Sequence, residues 1–405
     1  MFLNYSFLLI IVLKVLCYDY NGYSLYDFEI TKQSDIEVLD MIDNKFYYVD
    51  YWFRQDHVGG RVHMFVGPNI SKEISIILDR ANIPYNVTTK NWFPSSEKKR
   101  SRRTKSGEID LYDFNSYDDI IEHLYKLEDR YKEFIKMKEI GKSYEGRSMY
   151  SFTIGYPSDH RKPVIFIENN IHAREWVTLT SLLLFIDDII QNQQNYYDIL
   201  KRMDLIIVPS INPDGYEYTR NIARIWRGNR NVTGNQRCGV DLNRNFPYGW
   251  KKKDSRCMTH SGESPASEPE TKVLIKHIEE NLEYIKGYVS VHSFGRLLLI
   301  PWGYQNDYYL EKHEELCDIT TNMYNEILEK TGTSYTIGTT PGILYDVNGI
   351  STDYIASKGI EFAFTIELAP YSKEKHIAFY INKDMIPSSA KEFIVGINSF
   401  INQML

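Results

Sequence analysis

The segment Ile171-His172-Ala173-Arg174-Glu175-Trp176 constrains this chain more than any other. The apolar run Val164-Ile165-Phe166-Ile167 leads into it, and Leu179, Leu182, Leu183, Ile186 and Ile190 follow at helical spacing. A short apolar run reads as a buried strand, and recurrence at every third and fourth position reads as a helix face. His172 and Glu175 therefore occupy the turn between a strand and a helix. Only Ala173 and Arg174 separate them, so both side chains can face one point. An imidazole and a carboxylate meeting there suit Zn²⁺, which takes N and O ligands at about 2.0–2.2 Å. Two ligands leave the set incomplete, so the rest of the chain must supply a third.

From about residue 110 onward, strand and helix patterns alternate. Further buried-strand runs are Leu205–Pro209, Tyr288–Val291 and Phe362–Ile366, and helical patterns cover 117–133, 177–192, 268–283, 311–330 and 388–403. This order predicts an α/β domain with a mixed, largely parallel twisted sheet flanked by helices. Sites in such sheets lie beyond the carboxyl ends of the strands. There the second run meets Asn212-Pro213-Asp214-Gly215, the third ends at His292-Ser293, and the fourth ends at Glu367. His292 is the natural third ligand, giving a His₂Glu set with a position left for water. A buried strand ending in a carboxylate needs a partner or a purpose. Each histidine alone is more often structural than a ligand, but their shared location at strand ends favours a site. Between them lie Arg220, Arg224, Arg227, Arg230, Arg237 and Arg244. A run of Arg is usually a solvated face. Here Arg227 follows Trp226, and Arg244 sits in Asp241-Leu242-Asn243-Arg244-Asn245-Phe246, and Arg suits bidentate binding of carboxylates.

The first quarter of the chain reads differently. Residues 2–13 are mostly apolar before Lys14, too short to span a bilayer and patterned as a secretory signal. An uncleaved anchor is the weaker alternative. Leu25 to Asn91 reads β-α-β-β-α-β, the order of a small split α+β domain. The run Lys98-Lys99-Arg100-Ser101-Arg102-Arg103-Thr104-Lys105 follows. In a secreted chain, between two domains, such a run is a proteolytic processing site, and Arg100-Ser101-Arg102-Arg103 resembles the recognition pattern of furin-like convertases. The expected organisation is therefore a signal peptide at 1–17, a propeptide at 18–103 and a catalytic domain at 104–405. The net charge of −7 over 405 residues gives no reason to expect a nucleic acid, and no later segment reads as membrane-spanning. Of four cysteines, Cys17 leaves with the signal, Cys238 and Cys257 could clip a loop, and Cys317 lies in a helical pattern as a thiol. Sequons stand at Asn69, Asn86 and Asn231. The 32 Tyr residues have no functional account.

Taken in order, H-A-R-E-W, N-P-D-G-Y, D-L-N-R-N-F, S-V-H-S-F and F-T-I-E-L resemble the motifs of the zinc metallocarboxypeptidases of the pancreatic A/B type. The resemblance covers signal, activation domain, basic junction and catalytic domain. It implies one Zn²⁺ held by His172, Glu175 and His292, the ligand set for which carboxypeptidase A is a standard example. It makes Glu367 the general base, Arg227 the oxyanion stabiliser, and Asn243 and Arg244 the pair that holds the substrate's terminal carboxylate. Tyr345 would close over substrate, Arg174 would line the next subsite, and Asp241 would orient a zinc histidine. It further implies a Cys238–Cys257 disulfide and a cis peptide at Ser293–Phe294, with Phe294 standing where the family commonly has tyrosine.

By the same resemblance, Thr352 is the floor of the side-chain pocket and Gly303 a small wall residue that leaves room for a ring. B-type enzymes carry an acidic floor and A-type enzymes an apolar one, so the expectation is A-type release of C-terminal Phe, Tyr, Leu or Ile. Asp353 is the tempting counter-charge for Lys or Arg, but both types carry Asp there. The expected partners are peptides or proteins with a free C-terminus and an activating protease, with the enzyme acting as a secreted monomer. The rival readings are a B-type or regulatory enzyme releasing basic residues, and a non-catalytic peptide-binding relative.

Overall fold

The structure is a computed structural model and describes residues 20–89, 108–232, 238–253, 257–305, 309–371, 379 and 381–405. The expected signal with Cys17, the basic junction with Thr104, Arg237, and Thr233 of the third sequon lie outside the described residues.

The N-terminal unit runs β1 (Ser24–Glu29), α1 (Gln33–Lys45), β2 (Asp50–Arg54), β3 (Arg61–Val66), α2 (Pro68–Arg80), β4 (Tyr85–Thr89). This is the β-α-β-β-α-β order read from sequence. Its antiparallel sheet has the order β2-β3-β1-β4. Alternate residues of a strand face opposite sides. Tyr26 and Phe28 of β1 therefore join Leu39 and Ile42 of α1 and Leu78 of α2 in one core. Leu25 faces the other way, into a second cluster with Trp52, Phe65, Ile225, Phe294 and Phe379. That cluster belongs half to this unit and half to the next, so the sheet is buried on both faces. β2 starts only at Asp50, because α1 runs through Lys45 and Phe46 caps it by donating its N–H to the Ile42 carbonyl. Asn69 and Asn86 are exposed, the latter on edge strand β4.

The larger unit begins with α3 (Tyr117–Arg130), β5 (Ile135–Lys142), β6 (Ser148–Ile154) and β7 (Val164–Asn169). There follow α4 (Trp176–Gln191), α5 (Gln193–Arg202), β8 (Asp204–Val208), α6 (Pro213–Asn221) and α7 (Pro269–Asn281). The rest is β9 (Ile285–Gly295), β10 (Leu297–Ile300), α8 (His313–Thr331), β11 (Thr336–Thr339), α9 (Thr340–Ile343), α10 (Ser351–Ser357), β12 (Ala363–Tyr371) and α11 (Ile386–Gln403). The eight-stranded sheet has the order β11-β10-β12-β9-β7-β8-β6-β5. Its centre, β12-β9-β7-β8, is parallel, whereas β6 and β5 on one side and β10 against β12 are antiparallel. Central parallel strands covered on both faces read as continuous apolar runs, and every residue of β7 is buried.

Helix α4 is apolar around most of its circumference and buried from Val177 to Ile186, as expected of a helix packed on all sides. It lies against α11, where Phe185 meets Phe393 edge to face. Cys238 and Cys257 form a disulfide with a Cα–Cα distance of 5.4 Å, and Cys317 is a half-buried thiol in α8. The Ser293–Phe294 peptide is cis. Among the described residues, no helix is long and apolar enough to cross a membrane.

Candidate active site

The carboxyl ends of β7, β8, β9 and β12 open onto one cleft, and the loops there are tied together before any reactive group is considered. Asn212, just past β8, caps α6 by accepting the Gly215 N–H at 2.9 Å, with Pro213 following at the first helical position. Its Nδ2 donates to the carbonyls of Gly228 at 2.9 Å and Ile171 at 3.2 Å. Ala173 N–H donates to the Arg227 carbonyl at 3.0 Å. The N-P-D-G motif is thus the clamp that fixes the Arg227 loop against the His172–Glu175 turn.

His172, Glu175 and His292 converge inside this frame, all three buried, with ligand atoms within 4.8 Å of one another. His172 Nδ1 lies 2.8 Å from Glu175 Oε1 and 3.0 Å from His292 Nδ1, and His292 Nδ1 lies 3.2 Å from Glu175 Oε2. The outer nitrogens are committed elsewhere: His172 Nε2 to Asp241 Oδ1 at 3.1 Å and His292 Nε2 to Ser290 Oγ at 2.9 Å. Two bare imidazole nitrogens facing each other at 3.0 Å would repel, so this contact holds either a proton or a metal ion between the rings. Two Nδ1 atoms and a carboxylate directed at one point, each histidine held from behind, form a donor set that fits one zinc.

Asp241 opens the D-L-N-R-N-F turn. Its Oδ1 also accepts the Asn243 N–H at 3.0 Å and its Oδ2 accepts Arg227 Nε at 2.9 Å. Burial opposes its charge, but Arg227, Arg244 and His172 beside it hold its carboxyl well below the usual range. Leu242 and Phe246 are fully buried anchors on either side of Asn243 and Arg244. Arg244 Nη2 approaches the Tyr345 hydroxyl at 3.4 Å. Glu367, on β12 opposite His292 of β9, faces the same space. Its Oε2 has no hydrogen-bond partner among the described residues, and burial pushes its carboxyl up to about 8 although His292 pulls the other way.

The remaining cavity, about 110 Å³, is lined by these groups and by Leu297, Leu299, Thr340, Leu344, Val347, Ile350 and Thr365. Sites for small molecules usually hold about 300–1,000 Å³. β2 closes over this cavity, with Tyr51, Trp52, Phe53 and Arg54 among the lining residues as its cover. The cover is fastened by Asp50 to Arg174 and by two links to the Tyr345 loop, Asp56 N–H to the Leu344 carbonyl and Gln55 Nε2 to the Ile343 carbonyl, both 2.8 Å.

Every expected metal ligand, catalytic and substrate-binding residue lines this cavity except Thr352, and the expected wall residue Gly303 does not line it either. Thr352 is buried in the first turn of α10, and Ile350 and Val347 stand at the wall instead. A Cβ built on Gly303 would lie 2.6 Å from Ile350 Cδ1 and 2.7 Å from Val347 Cγ2, so these side chains fill the room that Gly303 leaves. The Asp353 carboxylate accepts the Gly303 N–H at 2.9 and 3.0 Å. The sequence predicts a propeptide over the cleft but not the β2 residues that cover it, nor Ile350 and Val347, because nothing local marks an apolar residue as a pocket wall.

A family model described as carboxypeptidase activation peptide matches residues 26–92, and one described as zinc carboxypeptidase matches residues 120–395. The chain belongs to the zinc carboxypeptidase family. As a metallocarboxypeptidase made with an activation peptide, it is a zymogen whose substrates are peptides with a free C-terminus. Carboxypeptidase O of Bos taurus is 35% identical over 271 residues, 64% of this chain and 72% of that one. Carboxypeptidase B of Astacus astacus is 32% identical over 73% of this chain and 98% of its own. The crystal structure of carboxypeptidase A from Helicoverpa armigera superposes with a TM-score of 0.82 at 26% identity, covering 95% of this chain and 98% of that one. The relatives carry both A and B names, so the side chain this carboxypeptidase prefers has to come from its own pocket.

Proposed function

We propose that this carboxypeptidase is a secreted, monomeric zymogen that, once residues 18–103 are cut away near Arg103 by a protease recognising the basic junction, removes apolar C-terminal residues. The observation that carries the reading is the single cleft holding the His172–Glu175–His292 set, Glu367 and the pair Arg227 and Arg244, walled by apolar side chains. In this reading His172, Glu175 and His292 hold one zinc, which when bound makes water acidic and polarises the scissile carbonyl.

The chain's own groups do the rest. Arg244 and Asn243 bind the terminal carboxylate, and only a chain end has a free carboxylate at that distance. Tyr345 closes over the bound residue. Arg174, freed from Asp50, lines the subsite upstream. Glu367 takes a proton from the attacking water as the oxygen bonds to the carbonyl carbon. Arg227 stabilises the negative charge that develops on the carbonyl oxygen. Glu367 then delivers the proton to the departing amine nitrogen as the C–N bond breaks.

The pocket supports an A-type preference. Its wall offers Leu297, Leu299, Leu344, Val347 and Ile350 beside the neutral hydroxyls of Ser293, Thr340 and Thr365, and Asp353 is occupied with the Gly303 backbone. A Lys or Arg side chain would bring a charge with no partner. Because Ile350 and Val347 fill the space beside Gly303, in front of Thr352, Leu and Ile fit better than Phe and Tyr. The test of the metal reading is chelation: activity should vanish and return with zinc, and a His292→Ala protein that keeps full activity without bound metal would overturn the ligand set.

A further inference from the structure

Glu168 is a fully buried carboxylate close to the site that the reaction above does not use. It stands near the end of β7, in register with Ser290 of β9. Ser290 and His292 are alternate residues of β9 and share a face. Ser290 Oγ lies 2.6 Å from Glu168 Oε1, and Ser351 Oγ lies 2.5 Å from the same oxygen. The other oxygen, Oε2, has no hydrogen-bond partner among the described residues. A buried carboxylate with a spare oxygen is costly, so its presence calls for a reason.

The direction of the hydrogen bonds supplies one. Burial pushes the Glu168 carboxyl up, but both serine hydroxyls meet the same oxygen, and Oε1 accepts from both whether the group is ionised or carries its proton on Oε2. With its single hydrogen committed, Ser290 Oγ can meet His292 Nε2, 2.9 Å away, only as an acceptor. Nε2 therefore carries the ring hydrogen, and Nδ1 is left bare toward His172 and Glu175. Two donors stand ready to reverse this. Without Glu168 the Ser290 hydroxyl could donate to Nε2, and Asn243 Nδ2, 3.3 Å from Nε2 whether or not Glu168 is present, is a competing donor that the shorter 2.9 Å Ser290 contact outweighs. Either would move the ring hydrogen to Nδ1, the atom that must face a metal. The second arm runs through Ser351, the first residue of α10, whose N–H donates to Asn243 Oδ1 at 2.9 Å and so fixes which way that amide points.

We propose that Glu168 is a positioning residue that, through Ser290, holds His292 in the tautomer a metal requires and, through Ser351, holds Asn243 ready for the substrate carboxylate. The inference rests on the ligand assignment made above.

The test is zinc affinity of the full-length protein, read by chelator competition, with the thermal midpoint of the metal-free form as a check on folding. Partners behind a metal ligand typically contribute about 10–100-fold to metal affinity. Ser290→Ala and Glu168→Leu should each weaken zinc binding by about that factor. Glu168→Gln, which keeps an acceptor oxygen, should restore most of it. Ser351→Ala should leave zinc affinity near normal and raise the KM of the activated enzyme for peptide. If Glu168→Leu does not fold, Ser290→Ala and Glu168→Gln carry the decision. Normal zinc affinity in Ser290→Ala, while His292→Ala loses the metal, would overturn this inference and leave the ligand set intact. Glu168→Gln as weak as Glu168→Leu would also overturn it. Normal affinity in His292→Ala would instead remove the ligand assignment on which it stands.

Discussion

Arg174 and Asp50 form an ion pair across the two units, Nη1 to Oδ2 at 2.6 Å, with side chains only 2% and 3% exposed. The pair joins a cavity-lining arginine to the strand that covers the cleft. Arg174 also lies over the Phe379 ring at 4.0 Å, and Trp52 Nε1 donates to the same Asp50 oxygen at 3.1 Å. Removing one member of a buried pair costs about 3–5 kcal/mol, because the other charge is left without a partner. Asp50→Ala should therefore loosen the cover. The uncut variant should hydrolyse small peptides faster than the uncut parent, while the two cut enzymes should be indistinguishable. Equal rates in the uncut forms would show that the pair does not hold the cover.

Glu367→Gln tests the proposed base. Its side chain keeps its shape and stays outside the ligand set, so zinc content and peptide binding should be retained. General acid–base catalysis is worth about 10²–10⁴-fold, and kcat should fall by that order. Near-normal turnover in this variant would assign proton transfer to another group.

Ile350→Gly, alone or with Val347→Ala, should deepen the pocket beside Gly303. The expected outcome is a rise in kcat/KM for peptides ending in Phe relative to matched peptides ending in Leu, by about 10-fold, the scale on which hydrophobic pockets discriminate size. An unchanged ratio would mean that the wall lies elsewhere.

Glu270 provides a pH prediction away from the cleft. It is fully buried, and burial pushes its carboxyl up to about 7, although the Tyr144 N–H and the Asn229 amide pull it down. A folded value above the unfolded one of 4.5 means that the folded state holds the proton more tightly. Its contribution is therefore complete below the unfolded value and is lost as pH rises through about 7. Compared with the parent, Glu270→Gln should lose on the order of 3 kcal/mol less stability between pH 4.5 and 8 in chemical unfolding. Parallel pH profiles for the two proteins would contradict this.

Much of the fold was legible because the central strands and long helices carry strong periodic signals. β7 reads as a strand because it is apolar and buried on both faces, and α3 and α11 read as helices from their spacing. The β5 edge strand was not legible: its Lys136, Lys138, Glu139 and Lys142 point to solvent and give no apolar period. The short β10, α9 and the loop before α10 supply Leu297, Leu299, Thr340, Leu344, Val347 and Ile350 to the pocket wall and are set by contacts far away in sequence. The metal set was legible because His172, Glu175 and His292 end buried strands. Glu168 and Ser290 were present as polar residues inside those same strands, a signal that only the register of β7 against β9 makes meaningful.

The most direct measurement is C-terminal release by the protein cut at the basic junction, followed by mass spectrometry on matched peptides ending in Leu, Phe and Arg, with and without chelator. The expected result is loss of a single C-terminal residue, fastest for Leu, abolished by the chelator and restored by zinc. Fastest release of Arg, cleavage at internal bonds, or undiminished activity in the chelator would contradict it.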